Sequence, residues 1–134
     1  MRFTYDHTGN LIARTTADMD NIIYEYELNR FKRIKYPRYP ENNVTYTYGA
    51  FDDNSDFNRK GRLVYMEDGS GGQEFKYGKM GEITELRRTM VIPNQAVATY
   101  VTQWQYDSWS RLHTMTYPDG EVGRYQCQHL WNCR

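Results

Sequence analysis

The stretch Phe3-Thr4-Tyr5-Asp6-His7-Thr8-Gly9-Asn10-Leu11 places two aromatic residues at alternate positions, then a turn, then an aliphatic residue. The closing tyrosine of this pair is followed by four others that end similar pairs, and they lie 21, 22, 29 and 29 residues apart. Periods of this length are typical of repeat architectures, in which each unit stacks on its neighbours. The longer intervals predict two insertions, at residues 49–59 and 91–98. The five aromatic pairs are Phe3-Thr4-Tyr5, Tyr24-Glu25-Tyr26, Tyr46-Thr47-Tyr48, Phe75-Lys76-Tyr77 and Trp104-Gln105-Tyr106.

Within a unit, apolar and polar residues alternate with a period of two. Ile22, Tyr24 and Tyr26 fall on one face of an extended strand, and Glu25 and Glu27 fall on the other. A half-buried strand requires this alternation, because successive side chains point to opposite faces. Residues 82–90 come nearest to a helical pattern, but their place in the repeat favours a strand.

Clusters of Gly, Asn and Asp separate the predicted strands. These residues supply or tolerate the positive φ that tight turns need. Each unit is therefore predicted to be a β-hairpin. The predicted fold class is all-β, with antiparallel β-hairpin repeats forming a continuous curved meander sheet of about nine to eleven strands. The clusters lie at residues 7–10, 18–21, 60–61, 68–72, 79–81 and 118–120.

Length and composition narrow the class of protein. The 134 residues suffice for one domain, and the 17 basic and 17 acidic side chains balance. A neutral chain has no electrostatic footprint for nucleic acid or an anionic membrane. No stretch approaches the roughly 20 apolar residues of a membrane span, and the N-terminus lacks the apolar core of a signal peptide. Cys127 and Cys133 alone do not define a disulfide framework.

Five segments are similar to the Tyr-Asp-x-x-Gly-x-Leu signature of YD repeats, also called Rhs repeats. Residues 5–11 match it throughout, residues 106–112 have Ser110 at the glycine position, and residues 77–83 have Gly78 and Ile83 in place of Asp and Leu. The copy at residues 26–31 is one residue short. The copy after Tyr48 is interrupted and resumes at residues 60–63. The chain thus resembles the YD-repeat family over residues 3–126, and residues 127–134 are predicted to form an irregular tail.

The resemblance implies a segment of a large hollow shell made of coiled antiparallel sheet. Members of the family include bacterial Rhs polymorphic toxins, the cocoon component of Tc toxin complexes and teneurins, and in the bacterial proteins the shell encloses a toxic C-terminal polypeptide. It implies a non-catalytic structural role, and a location that is secreted or at the cell surface as part of a larger bacterial protein. The Asp-Pro-x-Gly autoprotease signature of the family has no counterpart here, and five repeats are too few to enclose a toxin. The chain is therefore expected to be a fragment or a truncated gene product.

The repeated residues are assigned structural roles. Tyrosines are expected to pair with tyrosines across neighbouring strands and to direct their hydroxyls to polar partners at the rim. The Asp after the tyrosine is expected to accept backbone N–H groups in the turn, and Gly9, Gly61 and Gly81 to take positive φ. The signature residues are Tyr5, Asp6, Gly9, Leu11, Tyr77, Gly81, Tyr106, Asp107 and Leu112. The exposed strands at the two ends of the sheet are predicted to pair with other YD-repeat segments or with copies of the chain.

Two alternative functions stay open at this point. Exposed tyrosines stack on sugar rings, so Tyr24, Tyr26, Tyr46 and Tyr48 are candidates for binding cell-surface glycans. Glu25 and Glu27 share a strand face, as the paired carboxylates of a glycosidase would. Alternating strands place such residues on the solvated face without any catalytic role, so no catalytic residue is assigned.

Two groups of residues resemble metal sites, but neither is predicted to bind a metal, and no cofactor is predicted. Residues 52–58 offer oxygen donors at alternate positions, as calcium requires, but the glycine and the closing glutamate of a calcium loop are missing. A solvated loop is the simpler interpretation. Cys127, His129 and Cys133 are zinc-type ligands, but a fourth ligand is not evident.

Overall fold

The computed structural model describes residues 1–52, 56–125, 127–129 and 132–133, with side chains up to residue 125. Eleven strands form one sheet in which every strand pairs antiparallel with its neighbours in sequence. The strands are β1 Arg2–Tyr5, β2 Leu11–Thr15, β3 Asn21–Glu27, β4 Arg30–Lys35, β5 Val44–Tyr48, β6 Leu63–Asp68, β7 Gly71–Tyr77, β8 Ile83–Met90, β9 Ala98–Tyr106, β10 Leu112–Thr116 and β11 Val122–Arg124. The predicted all-β meander is confirmed, as is the strand at residues 83–90.

Two shorter features complete the described backbone. A 3-10 helix occupies Pro40–Asn42 between β4 and β5. Strands β12 (Cys127–His129) and β13 (Asn132–Cys133) pair only with each other, apart from the large sheet. The boundary at residue 126 and the irregular character of the tail stay predictions. No helix in the described residues has the length and apolarity needed to cross a bilayer.

The register divides the sheet into an aromatic face and a charged face. Tyr24 lies opposite Ile34, which in turn lies opposite Val44, so these residues share the aromatic face. On the other face Lys76 lies opposite Glu85, which lies opposite Gln103. The two-residue alternation read from the sequence therefore continues across the sheet.

The sheet is a single layer, and its core is correspondingly thin. Ile22 is the one large hydrophobic residue that is buried in the described part of the chain. The accessible surface is 10,023 Å² for a mass of 16.0 kDa, whereas a globular monomer of this mass exposes about 7,400 Å². The chain therefore leaves uncovered much of the surface that a second layer or a partner would bury.

The turns fall into two rows, one along each side of the sheet. The row after the tyrosines of the aromatic pairs is called the signature margin, and the opposite row the return margin. Five turns, two on the return margin, share one geometry: a residue with positive φ donates its N–H to the carbonyl three residues earlier. This geometry suits a short hairpin with a bulge. The residues with positive φ are Gly9, Met19, Gly81, Ser110 and Gly120.

Two apolar residues occupy left-handed backbone positions in these rows. Met19 has φ of 60° on the return margin, and Leu28 has φ of 50° in the two-residue turn that it forms with Asn29. A side chain on Cβ makes this conformation unfavourable by about 1–2 kcal/mol. Local turn chemistry favours glycine or asparagine at both positions.

Replacing Met19 with glycine should raise the free energy of unfolding by about 1 kcal/mol, because glycine removes the Cβ strain at positive φ. Urea denaturation of Met19→Gly against the unaltered chain measures this change. Gly9→Ala is the matched control. A Cβ at Gly9 would meet no atom within 4 Å at φ of 88°, so strain alone should lower stability. A Met19→Gly variant less stable than the unaltered chain would contradict the assignment.

Candidate functional site

A hydrogen bond between consecutive units recurs four times along the sheet. The tyrosine that closes each of the last four aromatic pairs donates its hydroxyl to the carbonyl of the first or second residue in the return strand of the preceding unit. The residue that supplies this carbonyl is aliphatic or aromatic. It occupies the leucine position of the signature, or the equivalent position in units where the signature is incomplete. The four bonds are Tyr26 to Leu11 at 3.0 Å, Tyr48 to Phe31 at 2.9 Å, Tyr77 to Leu63 at 2.6 Å and Tyr106 to Ile83 at 3.0 Å.

The electrostatics of these phenols fit a donor role. Burial raises the pKa of Tyr26, Tyr77 and Tyr106 above the ordinary value of 10.0. The hydroxyls therefore stay protonated at neutral pH and keep the hydrogen that they donate. Tyr5 begins the first unit, and within the described residues its hydroxyl has no such acceptor; its side chain is 59% exposed.

Ring packing on the aromatic face differs from the predicted pairing of tyrosine with tyrosine. Among the described residues, the close ring contacts centre on Phe31. Its ring centroid lies 6.1 Å from Tyr24, 4.8 Å from Tyr26 and 6.2 Å from Tyr46. Neighbouring tyrosines alternate with shorter aliphatic side chains across the strands, so one phenylalanine joins three rings from two units.

Aspartates organise the signature turns of units one and five. Asp6 Oδ1 accepts the backbone N–H groups of Thr8 at 2.9 Å and of Asn10 at 2.8 Å. The Thr8 hydroxyl also donates to it, and this bond is the largest cause that lowers the pKa of Asp6 from 3.8 to about 2. Asp107 accepts the N–H groups of Trp109 and Arg111, and its pKa is likewise lowered, mainly by Arg111. The predicted role of both aspartates is confirmed by these contacts.

Unit four has glycine where the signature has aspartate, and the structure gives the reason. Glu82 approaches the turn from its far end, and its Oε2 accepts the Met80 N–H at 2.9 Å. A Cβ at Gly78 would lie 2.0 Å from Glu82 Oε1. The carboxylate has thus moved to the opposite side of the turn. The sequence signal was the coincidence of Gly78 with an acidic residue four positions later.

The first insertion packs against the sheet through its second half. Tyr77 donates its N–H to the Phe57 carbonyl at 3.1 Å, and Asn58 donates its side-chain N–H to the Tyr77 carbonyl at 3.1 Å. Arg59 contacts Glu74 at 2.6 Å. The β6–β7 register ends at Tyr65 and Glu74, so the insertion covers the end of β7 that β6 leaves open. Phe57 is 41% exposed, as expected of a solvated loop, but its carbonyl and the Asn58 side chain are bonded to Tyr77 of β7.

An arginine of the preceding unit contacts residues on both sides of the insertion. Arg30 Nη1 donates to the Gly61 carbonyl at 2.7 Å, and its guanidinium lies 4.2 Å from the ring centroid of Tyr48 and 5.9 Å from that of Phe51. Cation–π contacts of this kind stabilise partly desolvated sites. Gly61 takes φ of 63°, Gly9 88° and Gly81 89°, as predicted.

The two groups of residues that resemble metal sites lie partly outside the described part of the chain. Residues 53–55 of the calcium-type loop lie outside it, as do the side chains of Cys127, His129 and Cys133. Among the residues that are described, no three His, Cys, Asp or Glu side chains are grouped to hold a metal ion.

The strand carboxylates are engaged in ion pairs on the charged face. Lys35 contacts Glu25, and Lys32 lies 3.3 Å from Glu27. Both glutamates lie on one face, as predicted. Each carboxylate has its own lysine, an arrangement that resembles a solvated strand face more than an acid–base pair.

The four tyrosines that are candidates for glycan binding make contacts that stabilise the sheet. Tyr24, Tyr26 and Tyr46 surround Phe31, and the hydroxyls of Tyr26 and Tyr48 are bonded to main-chain carbonyls. All four side chains are half-buried. Glycan binding by these residues stays a prediction.

Two equivalent depressions open at the signature margin between consecutive units. One, of about 420 Å³, lies between Leu28 of unit two and Tyr46-Thr47-Tyr48 of unit three. The other, of about 650 Å³, lies between Met80 of unit four and Trp104-Gln105-Tyr106 of unit five. Each combines the turn tip of one unit with the aromatic pair of the next. No sequence motif marks these depressions, because they exist only between stacked units.

The same fold occurs in solved structures of toxin complexes. Crystal structures of TcdB2-TccC3-TEV and TcdB2-TccC3-Cdc42 match 92% of this chain with a TM-score of 0.76 and 18% sequence identity. The Photorhabdus luminescens Tc holotoxin pore with a mutated TccC3 matches the same share with a TM-score of 0.53 and 15% identity. The chain spans 7% of the first two matched chains and 8% of the third. No protein-family model and no curated protein matches the chain.

Removing the hydroxyl of Tyr77 should destabilise the fold by about 1–2 kcal/mol, because the half-buried Leu63 carbonyl loses its donor. Chemical denaturation of Tyr77→Phe measures the loss. Tyr5→Phe is the matched control and should change stability little, since this hydroxyl has no acceptor in the described residues. Equal losses in both variants would contradict a role for the bond between units.

The stability of the sheet should fall as the pH drops from about 4 towards 2. The pKa of Asp6 is about 2 in the fold against an ordinary 3.8, so its stabilising effect is complete above the higher value and is lost as the pH approaches the lower one. Asp6→Asn should flatten this part of the profile, measured by denaturant titration at each pH. An unchanged acid dependence in Asp6→Asn would show that other carboxylates are responsible.

Proposed function

We propose that this chain, which has the fold of a segment of Tc toxin component chains and resembles YD repeats, is a structural wall segment of an Rhs-type shell. Its role is to enclose or scaffold a toxin or effector carried by the larger protein, without catalysis of its own. The observation that carries the proposal is the junction in which each tyrosine is bonded to the preceding unit. This junction extends a sheet one unit at a time, as a wall requires.

The thin core supports the same function. A single sheet with one buried large hydrophobic residue in its described part is marginal alone and gains stability when neighbouring segments extend it. The outer strands β1 and β11 are the places where other YD-repeat segments, or copies of the chain, would pair. A secreted or cell-surface location belongs to this proposal, because the shells that the resemblance implies are exported.

The alternative, a glycan-binding module, has less support from the geometry. Its tyrosines are half-buried and hold the sheet together, so a sugar would have to displace ring contacts that stabilise the fold. No observation in the described residues favours it over the wall segment.

A chimera tests the proposed function. Residues 3–125 would replace the structurally matched segment of TcdB2-TccC3, and a Gly/Ser linker of equal length would serve as the control. We expect the chimera to keep the C-terminal region resistant to added protease, because a wall segment closes the gap that the linker leaves open. Protease sensitivity equal to that of the linker control would refute the proposal.

A further inference from the structure

The most exposed apolar side chains of the signature margin come from four successive units. Leu28 is 72% exposed, Phe51 71%, Met80 79% and Trp109 78%. Neighbouring units are separated by two strands, or about 10 Å. Single exposed apolar residues are ordinary on protein surfaces. A row of them at the tips of consecutive turns is a regular feature of the fold.

Local folding requirements do not account for this row. Leu28 is held at φ of 50°, where asparagine or glycine would be less strained. Its side chain is mostly in solvent, so the strain is not repaid by burial within the chain. A residue that breaks the local rule without a local gain points to a role outside the monomer.

The two depressions behind the row carry opposite charge. The one behind Leu28 is lined by Arg30, Lys32 and Arg33 and by one acidic residue, Glu27. The one behind Met80 is lined by Glu82 and Asp107 and by no basic residue, although Asp107 is paired with Arg111 at 2.8 Å beside it. They are equivalent sites two units apart on the same margin. A two-fold axis that passes between the two depressions would place the basic depression of one copy against the acidic depression of a second copy.

We propose that the signature margin is a self-association surface, through which two copies of this chain pack antiparallel with the basic depression of each facing the acidic depression of the other. Apolar tips then meet apolar tips, and charges of opposite sign face each other at both ends. The contact is isologous, so one surface serves both copies and the assembly closes as a dimer.

The chain as a whole leaves more surface uncovered than such a dimer would bury. Each copy exposes about 2,600 Å² more than a globular protein of its mass. A stable interface needs only about 800 Å² from each partner. The outer strands offer a shorter surface for pairing, because β1 has four residues and β11 has three. Moreover, both run in the same direction in an eleven-stranded antiparallel sheet, so joining β1 of one copy to β11 of another with their aromatic faces on the same side would make a parallel seam.

Sedimentation velocity on the 134-residue chain over a concentration series tests the dimer. We expect a monomer–dimer equilibrium that weakens as salt is added, because opposite charges face each other. Leu28→Asn and Met80→Asn should each raise the dimer dissociation constant about tenfold. Leu28→Asn should at the same time stabilise the dilute monomer to urea, because asparagine tolerates its positive φ.

Met19→Asn is the matched control on the return margin. Met19 is also apolar, 84% exposed and at positive φ. Its replacement should stabilise the monomer in the same way and leave the dissociation constant unchanged. A chain that stays monomeric, a dimer that strengthens with salt, or equal weakening by Leu28→Asn and Met19→Asn would overturn the proposal. Dimers insensitive to both Leu28→Asn and Met80→Asn would place association elsewhere, with the outer strands as the next surface to test. None of these outcomes bears on whether the chain works as a wall segment in a larger shell.

Discussion

The sheet has one layer, so each unit can bury its apolar side chains only against the units beside it. The hydrogen bond from a tyrosine hydroxyl to a main-chain carbonyl of the preceding unit holds neighbouring units together so that this burial is possible. It fixes the tilt of the ring over the neighbouring return strand and satisfies a polar group that would otherwise lie under an aromatic side chain. The same bond recurs at four junctions, which makes the sheet extendable by identical steps.

The turns adapt to this constraint in different ways while keeping one geometry. Asp6 and Asp107 hold their turns from the first position, and Glu82 holds its own from the last, with Gly78 leaving room for it. The insertion after Tyr48 goes further and covers the end of β7 with Phe57 and Asn58. At Gly78, the departure from the signature therefore marks a place where another residue makes the contact that aspartate makes elsewhere.

The two faces and the two margins of the sheet have different chemistry, which bears on function. Ion pairs such as Lys76 with Glu85, at 2.8 Å, cover one face and suit contact with solvent. The aromatic face holds the units together, and the margins carry the most exposed apolar tips. Such a strip can be extended at its outer strands and contacted at its margins. The fold match to Tc toxin component chains covers 7% of their length.

The sequence by itself determined the repeat, the strand alternation, the antiparallel meander and the positive φ of Gly9, Gly61 and Gly81. Each of these depends on residues close together along the chain. Other features were decided only by the tertiary structure, because most of them join residues about 14–23 positions apart whose side chains give no local signal. Ring contacts centred on Phe31, the acceptor of each tyrosine hydroxyl, and the paired depressions at the signature margin belong to this group. Stacking places the tyrosine of one unit next to a carbonyl of the preceding unit. No pattern within a single unit specifies which carbonyl accepts the hydrogen bond.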